Sequence, residues 1–157
     1  MYRLVFAGVF DRWPDLKIIT HHGGGMIPMV AGRLSAGLAA YGTRTPADLR
    51  EKENTPLQGA ALPAFKHFYA DTATFGDQAG VECALKFFGP ERLLFASDMP
   101  FGPENGAWHI RSAQAVVNGL DLDQAQSEGI FCGNAERLLR LGKAKNNTAA
   151  RNFLPPM

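Results

Sequence analysis

His21 and His22 stand side by side directly before Gly23-Gly24-Gly25, and an imidazole can bind a metal ion or move a proton near neutral pH. On spacing alone such a pair is more often a structural or exposed feature. The three glycines open backbone conformations closed to other residues and let a ligand approach the main chain, or they form a tight turn with no ligand. Asp98 follows the apolar run Leu93-Leu94-Phe95-Ala96 and Ser97, and it precedes Met99-Pro100. A carboxylate there is costly to bury alone, so a cation or a hydrogen-bond donor must answer it; capping of nearby backbone amides is the competing reading. Asp71 ends the analogous run from His67, and there the structural reading is favoured. Arg33, eleven positions after His22, could clamp a carboxylate through two parallel hydrogen bonds, or be a surface charge. For Trp108, His109, Met26 and Met29, core packing or exposure is expected ahead of a pocket role.

The elements that must hold these residues follow from periodicity and turn signals. Leu4 to Phe10 reads as the end of a helix, broken at Trp13-Pro14-Asp15, and Leu16 to Thr20 is a short β-rich run that would deliver both histidines to its C-terminal mouth. After the glycines, Ile27, Val30, Leu34 and Leu38 recur at helical spacing. The stretch between Tyr41 and Pro63 is polar and proline-punctuated, an insertion or loop with a short helix opening at Thr45-Pro46 and running through Leu49 and Lys52. A second unit comprises a strand from His67 to Asp71, a loop from Thr72 to Gly76 and a helix burying Val81, Ala84, Leu85 and Phe88, stopped by Gly89-Pro90. The third has a strand from Leu93 to Ala96, the Asp98 turn and a helix with Ile110, Ala113, Val117 and Leu120 inward. Asn134 is expected to cap a last helix, Ala135 to Leu141, closed by Gly142. Residues 143–157 read as a solvated tail.

Strands alternating with helices predict an α/β fold with a parallel sheet. Three β/α units cannot close an eight-stranded barrel, which takes roughly 250 residues. With 157 residues, 46% hydrophobic and 20% charged, the chain can still build one ordinary domain core. Sixteen basic and fifteen acidic residues leave a formal charge of +1, which provides no field for nucleic acid or an anionic membrane. Small molecules or other protein chains are the expected partners. Cys83 and Cys132 are far apart and form no Cys-x-x-Cys pair, so neither a zinc knuckle nor a disulfide framework is expected, and a cytoplasmic location fits. Asp11 and Arg12 interrupt the mildly apolar first residues, so no targeting or membrane segment is read there.

Three strings in order, His22-Gly-Gly-Gly-Met-Ile-Pro28 continuing to Gly32-Arg33, Phe95-Ala-Ser-Asp98-Met-Pro-Phe101, and Gly133-Asn-Ala-Glu-Arg-Leu-Leu139, resemble the amidohydrolase-related family, and within it most closely the aminocarboxymuconate semialdehyde decarboxylases. The resemblance covers residues 1–142 and implies the C-terminal portion of a (β/α)8 TIM barrel, incomplete in this chain, from an enzyme with one divalent metal ion, usually zinc. It implies that Asp98 is a metal ligand at the last strand's end, that His22 is the catalytic histidine acting in proton transfer, and that Arg33 binds a substrate carboxylate across a dimer interface. Register selects His22, which directly precedes the glycines, over His21. The family's remaining metal ligands, a His-x-His pair on the first strand and a histidine on a middle strand, have no counterpart here, and His67 and His109 do not match. The metal site is therefore expected to be incomplete. Truncation of a longer gene, or pairing with a chain that supplies the missing strands, would account for this, and an uncovered strand edge would favour a homo-oligomer. The parent reaction implied is metal-dependent, non-oxidative decarboxylation of an unsaturated or aromatic carboxylic acid. Hydrolysis on the same fold and a non-catalytic oligomerising fragment are the alternatives.

Overall fold

The computed structural model describes residues 1–40 and 61–141. Within them β1 (Ile19–Thr20), β2 (Tyr69–Asp71) and β3 (Leu93–Leu94) form one parallel sheet in the order β1-β2-β3. The expected strands are all present and all shorter than their apolar runs. A strand lasts only as long as its ladder, and the flanking residues have found other partners. Leu16 N–H bonds back to Trp13 O and His67 N–H to Ala64 O, both turns. Past β3, Phe95 N–H donates to Ile130 O, and Ala96 N–H donates to the Thr72 hydroxyl at 3.1 Å, so a side chain stands where a strand partner would be.

Helices fill the crossovers. At the N-terminus the expected single helix is two short ones, α1 (Tyr2–Phe6) and α2 (Val9–Arg12), split where Gly8 takes a left-handed conformation with φ 63°. After β1, α3 (Ala31–Ala39) starts later than the apolar spacing predicts. Pro28 offers no N–H and disfavours helical geometry at the residue before it, and residues 25–30 form turns instead. The short helix expected from Thr45-Pro46, and the tail from residue 143, lie outside the described residues. An unexpected helix, α4 (Ala61–Phe65), leads toward β2. Then α5 (Gln78–Phe88) connects β2 to β3, and α6 (Ala107–Gly119) follows the Asp98 loop.

The core lies between the sheet and these helices. Phe65, Val81, Ala84, Leu93 and Ile130 are fully buried, with Phe68, Phe88, Val116 and Val117 beside them. Of the residues expected inward, Leu85 and Ile110 are only partly buried, while Phe87 and His109 are buried in addition. Phe10 of α2 meets Phe68 edge-on, ring centroids 5.0 Å apart, which brings the N-terminal helices onto the same core.

Asn134 is not a helix cap. The chain reaches it already helical, through α7 (Gln124–Glu128) and the wider turn Gly129–Gly133, and continues as α8 (Asn134–Leu138). Its amide, 2% exposed, donates instead to Pro90 O at 2.7 Å and Leu93 O at 2.6 Å. With the Phe95–Ile130 bond this occupies the outer edge of β3 with the chain's own helical segment. The expectation of an uncovered edge therefore fails at β3. At β1 the outer edge has no strand neighbour among the described residues.

Candidate active site

The C-terminal ends of the three strands lead into His21 and His22, Asp71 and Asp98, and hydrogen bonds tie those ends together. His22 begins a tight turn in which four successive residues have positive φ: His22 at 53°, Gly23 at 63°, Gly24 at 84° and Gly25 at 60°. Gly24 is required there, because a Cβ would lie 2.7 Å from the Phe88 ring. His22 is the only one with a side chain, and left-handed backbone costs such a residue on the order of 1–2 kcal/mol unless its surroundings hold it.

They hold it at two points. The Asp71 carboxylate accepts from His22 N–H at 2.7 Å and from Ala73 N–H at 3.1 Å. The His22 Nδ1 lies 2.7 Å from Ala73 O. A carbonyl oxygen only accepts, so this bond places a proton on Nδ1 and leaves Nε2 as the ring atom available for proton exchange. His21, by contrast, has a side chain 79% exposed that reaches the Asp71 carboxylate at 3.4 Å. Asp71, 6% exposed, takes the structural role expected of it.

The next residue carries the tie onward. Thr72 N–H donates to Leu94 O at 3.1 Å, and its fully buried hydroxyl donates to Ala96 O and accepts from Ala96 N–H, both at 3.1 Å. The His22–Asp71 and Thr72–Ala96 hydrogen bonds, joined by the Asp71–Thr72 peptide bond, thus cross the mouth and end two residues before Asp98. Asp98 sits in a left-handed turn with φ 66°, partly buried. Its backbone carbonyl accepts from Phe101 N–H, and its carboxylate has no hydrogen bond or ion pair among the described residues. The capping reading therefore finds no bond to support it. Arg33 is exposed on α3 and has no ion pair and no hydrogen bond to His22 or Asp98 among the described residues.

Two further residues belong to this mouth. Phe75, on the loop after β2, has φ 57° and is 50% exposed. It stacks on His109 at 4.3 Å and lies 6.3 Å from the His22 ring. His109 is 6% exposed, with its Nδ1 buried and without a hydrogen-bond partner among the described residues. The sequence marked Phe75 not at all and left His109 between core packing and exposure; the fold buries it. Left-handed conformation is not written in a phenylalanine's identity. Trp108, Met26 and Met29 are exposed.

A partly buried carboxylate with no protein partner is a fitting cation ligand. No group of three His, Cys, Asp or Glu side chains able to hold a metal ion exists among the described residues, whereas catalytic zinc sites take about three protein ligands. These residues can supply one ligand, Asp98, and not a whole site.

A model of the amidohydrolase family matches residues 1–141. The chain is 31% identical over 144 residues to the decarboxylase orsB of Emericella nidulans, covering 91% of this chain and 40% of that protein. It is 31% identical over 143 residues to the gamma-resorcylate decarboxylase of Polaromonas sp. strain JS666, covering 90% and 39%. It is 25% identical over 142 residues to the 2-amino-3-carboxymuconate-6-semialdehyde decarboxylase of Dictyostelium discoideum, covering 90% and 36%. Among solved structures, a dihydroxybenzoic acid decarboxylase from Polaromonas sp. JS666, with bound manganese and 2-nitroresorcinol, superposes with a TM-score of 0.67 at 25% identity, covering 92% of this chain and 40% of that one. The chain thus spans about two fifths of the length of these relatives, and its fold is that of a partial (β/α)8 barrel.

Proposed function

This chain belongs to the amidohydrolase family, and on that premise we propose that it forms part of an enzyme for non-oxidative decarboxylation of an aromatic or unsaturated carboxylic acid. The observation that carries the reading is the fixed imidazole of His22: Nδ1–H is committed to Ala73 O, and Nε2 remains for the substrate. The curated relatives reported above, all decarboxylases by name, support it over hydrolysis.

The chemistry follows from that imidazole. A protonated His22 gives its Nε2 proton to the substrate carbon that carries the carboxylate. The bond from that carbon to the carboxylate then breaks, its electron pair returns to the π-system, and CO2 leaves. His22 is exposed, so water restores its proton. Arg33, a free cation among the described residues, would clamp a substrate carboxylate. Exposed on α3, it would do so in the site of a second copy, hence a homo-oligomer.

Asp98 would be one ligand of a divalent cation, zinc or manganese, with the others coming from strands outside the matched segment. Such a cation would polarise the substrate. No helix among the described residues is long and apolar enough to cross a membrane. The free thiols of Cys83 and Cys132 suit a reducing compartment such as the cytoplasm.

The test is a chimera in which residues 1–141 replace the matched segment of the Polaromonas gamma-resorcylate decarboxylase, loaded with manganese or with zinc. It is expected to release CO2 from 2,6-dihydroxybenzoate, and His22→Ala to slow that release by about 100-fold or more. Turnover of a lactone or amide with no CO2 from any aromatic acid would replace the reading by hydrolysis.

A further inference from the structure

We infer that Phe75 is a specificity-determining residue of this site: an aromatic platform beside His22, against which a planar aryl acid stacks. The inference rests on the decarboxylase reading for the identity of the acid and deepens it, since it selects aromatic over non-planar substrates.

Several independent observations converge on Phe75. Its backbone is left-handed, φ 57°, and Gly76 after it has φ 87°; a bulky side chain rarely stays there without support from its surroundings. Its ring is nonetheless half exposed at 50%, so core burial does not explain the conformation. One ring neighbour is the candidate proton-transfer residue, His22, at 6.3 Å. The other is His109, stacked at 4.3 Å with 26° between planes.

His109 serves as a rigid backing. It is buried and its Nδ1 lacks a partner among the described residues, a cost that an apolar residue packed there would avoid. Trp108 meets it edge-on at 5.1 Å. On the far side Gly102, φ 82°, lies so close that a Cβ would come within 2.0 Å of Nε2. Gly102 is on the loop that begins with Asp98, so His109 is wedged between the loop after β2 and the loop after β3. One face of the Phe75 ring is occupied by this backing. The residue is half exposed and its ring lies 6.3 Å from that of His22, and aromatic rings pair best with other rings in offset or edge-on arrangements.

The experiment is an NMR titration of the chain, with manganese-free buffer and millimolar 2,6-dihydroxybenzoate as probe and cyclohexanecarboxylate as the non-planar control. In the wild type the ring protons of 2,6-dihydroxybenzoate are expected to shift upfield on binding, with transferred magnetisation from Phe75. Phe75→Leu should abolish the shift and weaken binding by about three- to tenfold, the range an aromatic pair contributes. Phe75→Tyr should stay within about twofold of the wild type, which separates a stacking role from a folding defect; unaltered circular dichroism of Phe75→Leu makes the same separation. Unchanged affinity and shift in Phe75→Leu, or no saturable binding by the wild type, would overturn the platform. Stacking on Phe75 without CO2 release by the chimera would remove only the decarboxylase reading. CO2 release that is indifferent to Phe75→Leu would remove only the platform.

Discussion

The Asp71 carboxylate accepts a hydrogen bond from His22 N–H at 2.7 Å, across 49 residues of sequence. The same oxygen takes Ala73 N–H, so one buried carboxylate holds both the strained histidine backbone and the carbonyl-bearing residue that orients its ring. Hydrogen bonds to a charged group contribute roughly 1.5–3 kcal/mol, and orphaned buried donors add a penalty. Asp71→Ala is expected to lower unfolding free energy by about 3 kcal/mol in a urea titration. Asp71→Asn keeps an oxygen in place and should lose about 1 kcal/mol. Equal losses would mean that the oxygen shared by His22 and Ala73 is not the stabilising element.

Two adjacent glycines separate backbone strain from packing. At Gly24 an added methyl group would meet the buried Phe88 ring at 2.7 Å, while at Gly25 nothing lies within 4 Å. Both have positive φ. Gly25→Ala, at φ 60° and ψ −132°, should therefore cost only the conformational penalty, about 2 kcal/mol, and Gly24→Ala about 4 kcal/mol, since overpacking adds to it. Chemical denaturation of the two variants side by side checks the difference, and indistinguishable midpoints would contradict the turn geometry.

Asn134 bolts the last helical segment to the outer edge of β3 through two carbonyls, those of Pro90 and Leu93. Asn134→Ala leaves both without their donor and is expected to destabilise the fold by about 2–3 kcal/mol. Asn134→Asp preserves shape but replaces the donor with an acceptor, and at neutral pH it should be at least as damaging. A thermal melt in which Asn134→Asp matches the wild type would rule out this bonding scheme.

The Asp98 carboxylate has no hydrogen bond or ion pair among the described residues, so it contributes nothing to the fold that asparagine would forfeit. Asp98→Asn should change stability by less than about 0.5 kcal/mol, and asparagine tolerates the left-handed backbone equally well. In the chimera the same substitution should sharply reduce retained manganese after dialysis, read by elemental analysis. A large stability loss with metal content unchanged would return Asp98 to a structural role.

The fold class was legible because its signals are local. Apolar runs such as Leu93-Leu94 report burial on both faces of a parallel strand, and Gly89-Pro90 marks the end of α5 without reference to anything distant. Strand lengths were not legible. Whether Phe95 and Ala96 extend β3 depends on Ile130 and Thr72, which compete for their backbone groups from elsewhere in the chain. Asn134 was misread as a cap for the same reason: a side chain of that type suits a helix start, but its amide answers carbonyls more than forty residues earlier.

For the site, the resemblance carried by three strings is what nominated His22, Arg33 and Asp98 as candidates, and residue type and place gave Asp71 a structural reading. Chemistry resides in side-chain identity, and identity is what a sequence records. Only the tertiary structure decided which histidine has a fixed ring, which of its nitrogens is left free, and that Thr72 links the β2 and β3 mouths. It alone brought Phe75 onto His109 beside His22. Those outcomes depend on hydrogen bonds and ring contacts between residues far apart in the chain, and on left-handed backbone that no non-glycine residue announces by its type.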